Sequence, residues 1–168
     1  DGKAVPVITS ATATDVSGTS GMFDEIEIFK NNDGDCNNAK TFVVSVSATA
    51  AGTWSVPVSL SQGEYVLATA TDGSTNTSEF SSCSPVVVDR YWVGGNAMWN
   101  DPGSWSATSG GAGGAGVPDI NSNVFIDNNS GTVTITIPAG TYYTKGFTMS
   151  GLGAKSPIIG QGGLLPRP

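Results

Sequence analysis

The sequence predicts an all-β protein, and three observations carry that expectation. Only 12% of the residues are charged while 38% are hydrophobic, enough apolar surface to build a core. Glycine occupies 23 of 168 positions among abundant Ser, Thr, Ala and Val, the composition of short strands joined by tight turns. Segments of alternating, β-branched character recur along the chain with turn residues between them.

From Val5 to Val88 those segments are VPVITSATAT, EIEIF, TFVVSVSATA, TWSVPVSL, EYVLATAT and SPVVVD, separated by turn signals at SGTSG, NNDGD, AAG, SQG and DGS. About seven short strands at this spacing are what an Ig-like β-sandwich needs, which defines a first domain over residues 1–89. Alternation assigns Ile26, Ile28, Trp54, Val56, Val58, Tyr65, Leu67 and Phe80 to its core. The buried tryptophan of antibody domains has no counterpart on the third strand, so the likeness is architectural. Cys36 follows one turn and Cys83 precedes the last strand, with no CxxC spacing. A disulfide in an oxidising compartment is the expected use, and a loop of that length would contribute about 4 kcal/mol in the chain-entropy model.

Asp89 and Arg90 mark a change of character and open a second unit over residues 90–168. It begins with YWVGGNAMWNDPGSWS, continues through the glycine-rich SGGAGGAGVP, which reads as a flexible loop, and then offers NVFID, TVTITIP, YYTKGFTMS and PIIG as strands. A short strand every ten to twenty residues with glycine at the corners suits the start of a parallel β-solenoid, and a small sandwich is the alternative. The unit reads as incomplete, the beginning of a longer domain, and the terminal GGLLPRP as a frayed tail.

Charge and residue usage narrow the function classes. A net charge of −7 with scattered Lys and Arg leaves no basic patch to neutralise phosphates, so nucleic acid and anionic membrane are not expected partners. Histidine is absent, which removes Ser–His and Cys–His catalysis and the commonest transition-metal ligand. No apolar run is long enough to span a bilayer, direct membrane insertion is not expected, and the chain reads as a mature or excised piece of an extracellular protein.

Two stretches carry a resemblance. VLATATDGSTNTSEFS, residues 66–81, resembles the penultimate-strand signature of bacterial Ig-like repeats, with TSEF as its specific core. RYWVGGNAMWNDPGSWSATSGGAGGAGVPDINSNVFID, residues 90–127, is similar to a YWVGG…W…W module that opens β-solenoid regions in very large surface proteins of Bacteroidota-type bacteria. The resemblance implies a modular, adhesin-like protein of the cell surface or secreted by the type IX route, and it offers no catalytic motif. This chain departs from the pattern at Ala97-Met98, at Gly103 and at Ser104, where a histidine is common, and the last two remove support for a metal site there.

Four constellations are candidates for chemistry. Asn31, Asp33 and Asp35 place oxygen ligands at alternate positions, as a calcium loop would, but Cys36 and Phe42 stand where an EF-hand needs glycine and glutamate. A polar turn is the favoured reading, with calcium the only cofactor to consider. Glu25 and Glu27 share one strand face behind Asp24; a surface that discourages edge pairing is favoured over glycosidase chemistry. Asn76-Thr77-Ser78 and Asn128-Asn129-Ser130 match the glycosylation pattern, but the first suits a turn. Trp92, Trp99 and Trp105 could form a platform for stacking on sugars, yet the Gly and Pro turns between them fix no common face and the unit has few large aliphatics, so a core role is favoured.

The expectation is a non-enzymatic spacer or attachment segment whose partners are neighbouring domains of the same long chain. The alternatives are a carbohydrate-binding module for surface glycans or polysaccharide, and the accessory region of a polysaccharide-degrading enzyme.

Overall fold

A computed structural model describes residues 2–32, 36, 38–151, 158–160 and 163–166, the last two segments as backbone only. The described chain is β-structure with short 3-10 turns, and it divides into two compact units, residues 1–87 and 88–168. Among the described residues no helix is long and apolar enough to cross a membrane.

The first unit is a two-sheet sandwich. One sheet has the order β1 (Val7–Ala11), β2 (Asp15–Thr19), β5 (Thr53–Pro57); the other has β4 (Thr41–Ser47), β3 (Glu25–Asn31), β6 (Tyr65–Thr71), β7 (Ser84–Pro85). All of these pairings are antiparallel. Val16, Ile26, Ile28, Trp54, Val56, Leu67 and Val86 are buried in it.

Four sequence expectations need correction here. SGTSG was read as a turn, but Ser17–Thr19 belong to β2, because Gly18 lets the strand lie under the Trp54 indole: a Cβ there would overlap Val7 O and the ring. Val58 and Tyr65 are half-buried, and Phe80, assigned to the core, is 41% exposed. The cause lies in β6, where Val66, Leu67, Ala68, Thr69 and Ala70 are all buried, so alternation marks no single inner face. Glu25 and Glu27 sit on β3, which has neighbours on both edges, so they charge a sheet face and guard no edge. Asp24 is 2% exposed and holds Lys3 at 2.6 Å.

The second unit stacks parallel strands. β8 (Val88–Trp92) and β9 (Ala97–Met98) form a first coil, from which β10 (Trp105–Ser106) folds back antiparallel onto β8. β11 (Ser122–Ile126), β12 (Thr134–Thr136) and β13 (Thr141–Thr144) form a second coil, and β14 (Gly146–Met149), β15 (Ile158–Gly160) and β16 (Gly163–Pro166) a third. β11 pairs in parallel with β8 and β14, β12 with β9 and β15, and β13 with β16. Asn123 aligns with Gly146, Ile135 with Ile159 and Tyr142 with Leu164, offsets of 23, 24 and 22 residues. From the first coil to the second the offsets are longer, 34 residues from Asp89 to Asn123 and 38 from Ala97 to Ile135; stacked parallel pairing at every step is the geometry of solenoid coils, not of a sandwich.

Three readings change in this unit. SPVVVD is divided, Ser84–Pro85 pairing in the first unit and Val88 opening the second. YYTKGFTMS is two strands turned at Lys145, whose N–H donates to Ser122 O at 2.9 Å. Within GGLLPRP, read as a frayed tail, Gly163–Pro166 continue the coil by pairing with β13.

Candidate functional site

The tryptophan segment is the hub of the second unit. Trp92 ends β8, Trp99 follows β9 and Trp105 begins β10, so the two connections between these strands bring the rings together. Trp105 meets Trp92 edge-on at 4.9 Å and 83°, and Trp99 at 4.7 Å and 73°. Each ring is 0% exposed and packs with Val124, Ile126, Val133, Ile135 and Ile137. The Trp92 indole N–H donates to Gly95 O at 3.0 Å and that of Trp105 to Trp99 O at 2.8 Å. The Trp99 N–H is buried without an acceptor among the described residues. The platform reading of Trp92, Trp99 and Trp105 is thereby overturned, since a sugar needs an exposed ring face and these faces lie inside the coil.

Gly103 and Ser104, beside the tryptophans, have structural uses. Asp101 accepts from Gly103 N at 2.9 Å and from Ser104 Oγ at 2.8 Å, capping a 3-10 turn at Pro102–Ser104. Ser104 is buried against Gly94, where any Cβ would overlap its side chain. The glycine-rich stretch, expected to be a flexible loop, is tied down: Ala115 N–H donates to Trp105 O at 2.9 Å, and Val117 packs on the tryptophan core. Glycine is needed there for close approach, because a Cβ at Gly113 would overlap Gly103 O.

Outside the coil, Tyr91 and Phe125 stack in register at 4.7 Å and 14°, and Asn123 donates to Asp89 at 3.0 Å. Such in-register pairs stabilise neighbouring strands. Burial, with the nearby Asp89 and Asp127 charges, holds the Tyr91 phenol above its ordinary pKa. Arg90 is buried in the same unit, and burial draws its guanidinium down from its usual value against the charges of Asp119 and Asp89.

In the first unit Cys36 and Cys83 form a disulfide, with Cα atoms 5.3 Å apart and a sequence separation of 47. An open hollow beside it is lined by Cys36, Cys83, Glu79, Phe80, Ser81 and Ser82. Asn31 is buried at the end of β3 and donates to Asn38 O at 2.9 Å. Asp33 and Asp35, the other two calcium candidates, lie outside the described residues. Asn76 supports its own turn, with Asp72 accepting from Asn76 N and Ser74 N. These bonds hold the Asp72 carboxyl below its ordinary range, the Asn76 side chain contributing most.

The TSEF motif and the serine after it, residues 77–81, have a geometric role that their composition hides. Ser78 and Ser81 lie along the open edge of β6: their hydroxyls accept from Ala70 N and Ala68 N at 3.0 Å, while their own N–H groups donate to Ala70 O at 2.9 Å and Ala68 O at 2.8 Å. Two serines three residues apart thus substitute for a ladder strand. The fold and site define a disulfide-linked β-sandwich followed by parallel β-coils. No protein-family model matches the chain, and no curated protein matches it.

Proposed function

We propose that this chain is a structural segment of a large bacterial surface or secreted protein, acting as a spacer or attachment module whose partners are neighbouring domains of the same polypeptide. The observation that carries the reading is the coil stacking of the second unit: parallel strands, at offsets of 22 to 24 residues between its second and third coils, build an element that lengthens by repetition, as a spacer must. The disulfide in the first unit fits an oxidising exterior, and a net charge of −7 fits a solvated surface protein. The tryptophans serve this role by packing one end of the coil stack.

The test is protease shaving of intact bacteria that make the parent protein, read with antibodies to this chain. Release of the epitope from unbroken cells, or its recovery from the medium, is the expected result. An epitope that stays protected until lysis overturns the reading.

A further inference from the structure

The two ends of the coil stack are built differently. At the first coil, β10 pairs along the outer edge of β8, and Trp105 and Ser106 are 0% and 2% exposed. At the third coil, β14, β15 and β16 each pair on one edge only, with no strand against the other edge among the described residues. The register also fixes which β14 side chains face inward. Phe147 aligns with Val124 and Met149 with Ile126, both of which are 0% exposed, yet Phe147 is 37% and Met149 42% exposed. Core-facing apolar side chains are therefore open to solvent at this end alongside free strand edges, a combination that favours pairing.

We propose that the β14–β15–β16 end is a docking surface for a further parallel β-coil, added in the register that joins β11 to β14, with its inward apolar side chains covering Phe147 and Met149. The interface is continuous with one already present, since β14, β15 and β16 use the same pairing on the second coil. The source is a coil in the same polypeptide. One corner residue, Lys145, carries the chain from β13 directly onto the strand stacked over β11, and the same step after β16 leads onto β14. β14 and β15 carry no charged residue or proline to discourage this pairing, and the one proline of the edge, Pro166, is the last residue of β16. The inference rests on strand geometry and not on surface location, so cell shaving and the experiment below fail independently.

The test appends a copy of residues 122–144 after Pro168 and compares the extended and original chains by hydrogen exchange and peroxide oxidation. The amides of residues 146–149 should exchange at least about 10-fold more slowly in the extended chain, as expected of a newly paired strand. Met149 oxidation should slow with them, while Met22 and Met98, 67% and 50% exposed, serve as unchanged internal references. Phe147→Asp in the extended chain should abolish the protection, and the same change in the original chain should leave its melting transition in place. Unchanged exchange and oxidation, both with this extension and with a second one copying residues 146–166, overturn the proposal. So does an original chain that forms a dimer by light scattering with residues 146–149 already protected, because a second copy would then be the occupant.

Discussion

The tryptophan core makes a comparison that separates packing from hydrogen bonding. Trp99→Phe and Trp105→Phe remove the same atoms from two rings that are both 0% exposed, so the apolar transfer and cavity contributions are of similar size. The indole N–H groups differ. Losing the Trp105 donor takes away the 2.8 Å bond to Trp99 O, and a buried group left unpaired costs about 1–3 kcal/mol. Losing the Trp99 donor removes a buried N–H that has no acceptor among the described residues, which recovers part of a desolvation cost of about the same size. Trp105→Phe should therefore be more destabilising than Trp99→Phe by about 2 kcal/mol or more. Urea unfolding followed by near-ultraviolet circular dichroism reports on this unit, which holds three of the four tryptophans. Equal losses to within about 0.5 kcal/mol, or the reverse order, would refute the reasoning, because an additivity error of that size is expected even between independent sites.

Three further outcomes concern the first unit. Cys36→Ser with Cys83→Ser should lower its stability by about 4 kcal/mol, the loop-closure value for a 47-residue separation, and equilibrium unfolding with and without reductant measures it. Gly18→Ala should cost about 2 kcal/mol or more, as an overpacked site does, and an unchanged melting temperature would show that β2 and Trp54 separate readily. Burial alone would raise the Glu64 carboxyl pKa, but the Lys30 hydrogen bond at 2.8 Å, Ser61 N–H and the Lys30 charge outweigh it and the net shift is downward. Its stabilisation is therefore present above the ordinary glutamate range and lost as pH falls through the lowered folded value. Glu64→Gln should cost no more than about 1 kcal/mol at pH 7, and that gap should close in acid denaturation series below about pH 4.

Much of the fold was legible because the signals were local. Strands β3, β4, β5 and β6 announce themselves through β-branched alternation, and the turns between them through Gly, Asn and Asp. The errors fall where a distant residue decides. SGTSG looks like a turn until Trp54 lies over Gly18, and Phe80 looks like core until the Thr77–Ser82 segment is seen lying along β6. In the site, the glycine-rich stretch carries the composition of a flexible loop, but the same glycines permit close packing against Gly103 O. The serine pair at 78 and 81 had a faint signal, two hydroxyl residues three apart after a strand, which composition alone does not separate from an ordinary turn.

What the sequence determined by itself is the all-β class, because strand period, turn chemistry and a low charge content are written residue by residue. The pairing of Cys36 with Cys83 followed from there being two cysteines and no metal spacing. Only the tertiary structure decided that Trp92, Trp99 and Trp105 point into one core, since seven- and six-residue separations across turns set no common direction until the coils stack. It also decided between the parallel solenoid and the small sandwich that the sequence left open, because strand direction depends on which distant segments meet, and alternation along one strand carries no information about its neighbour.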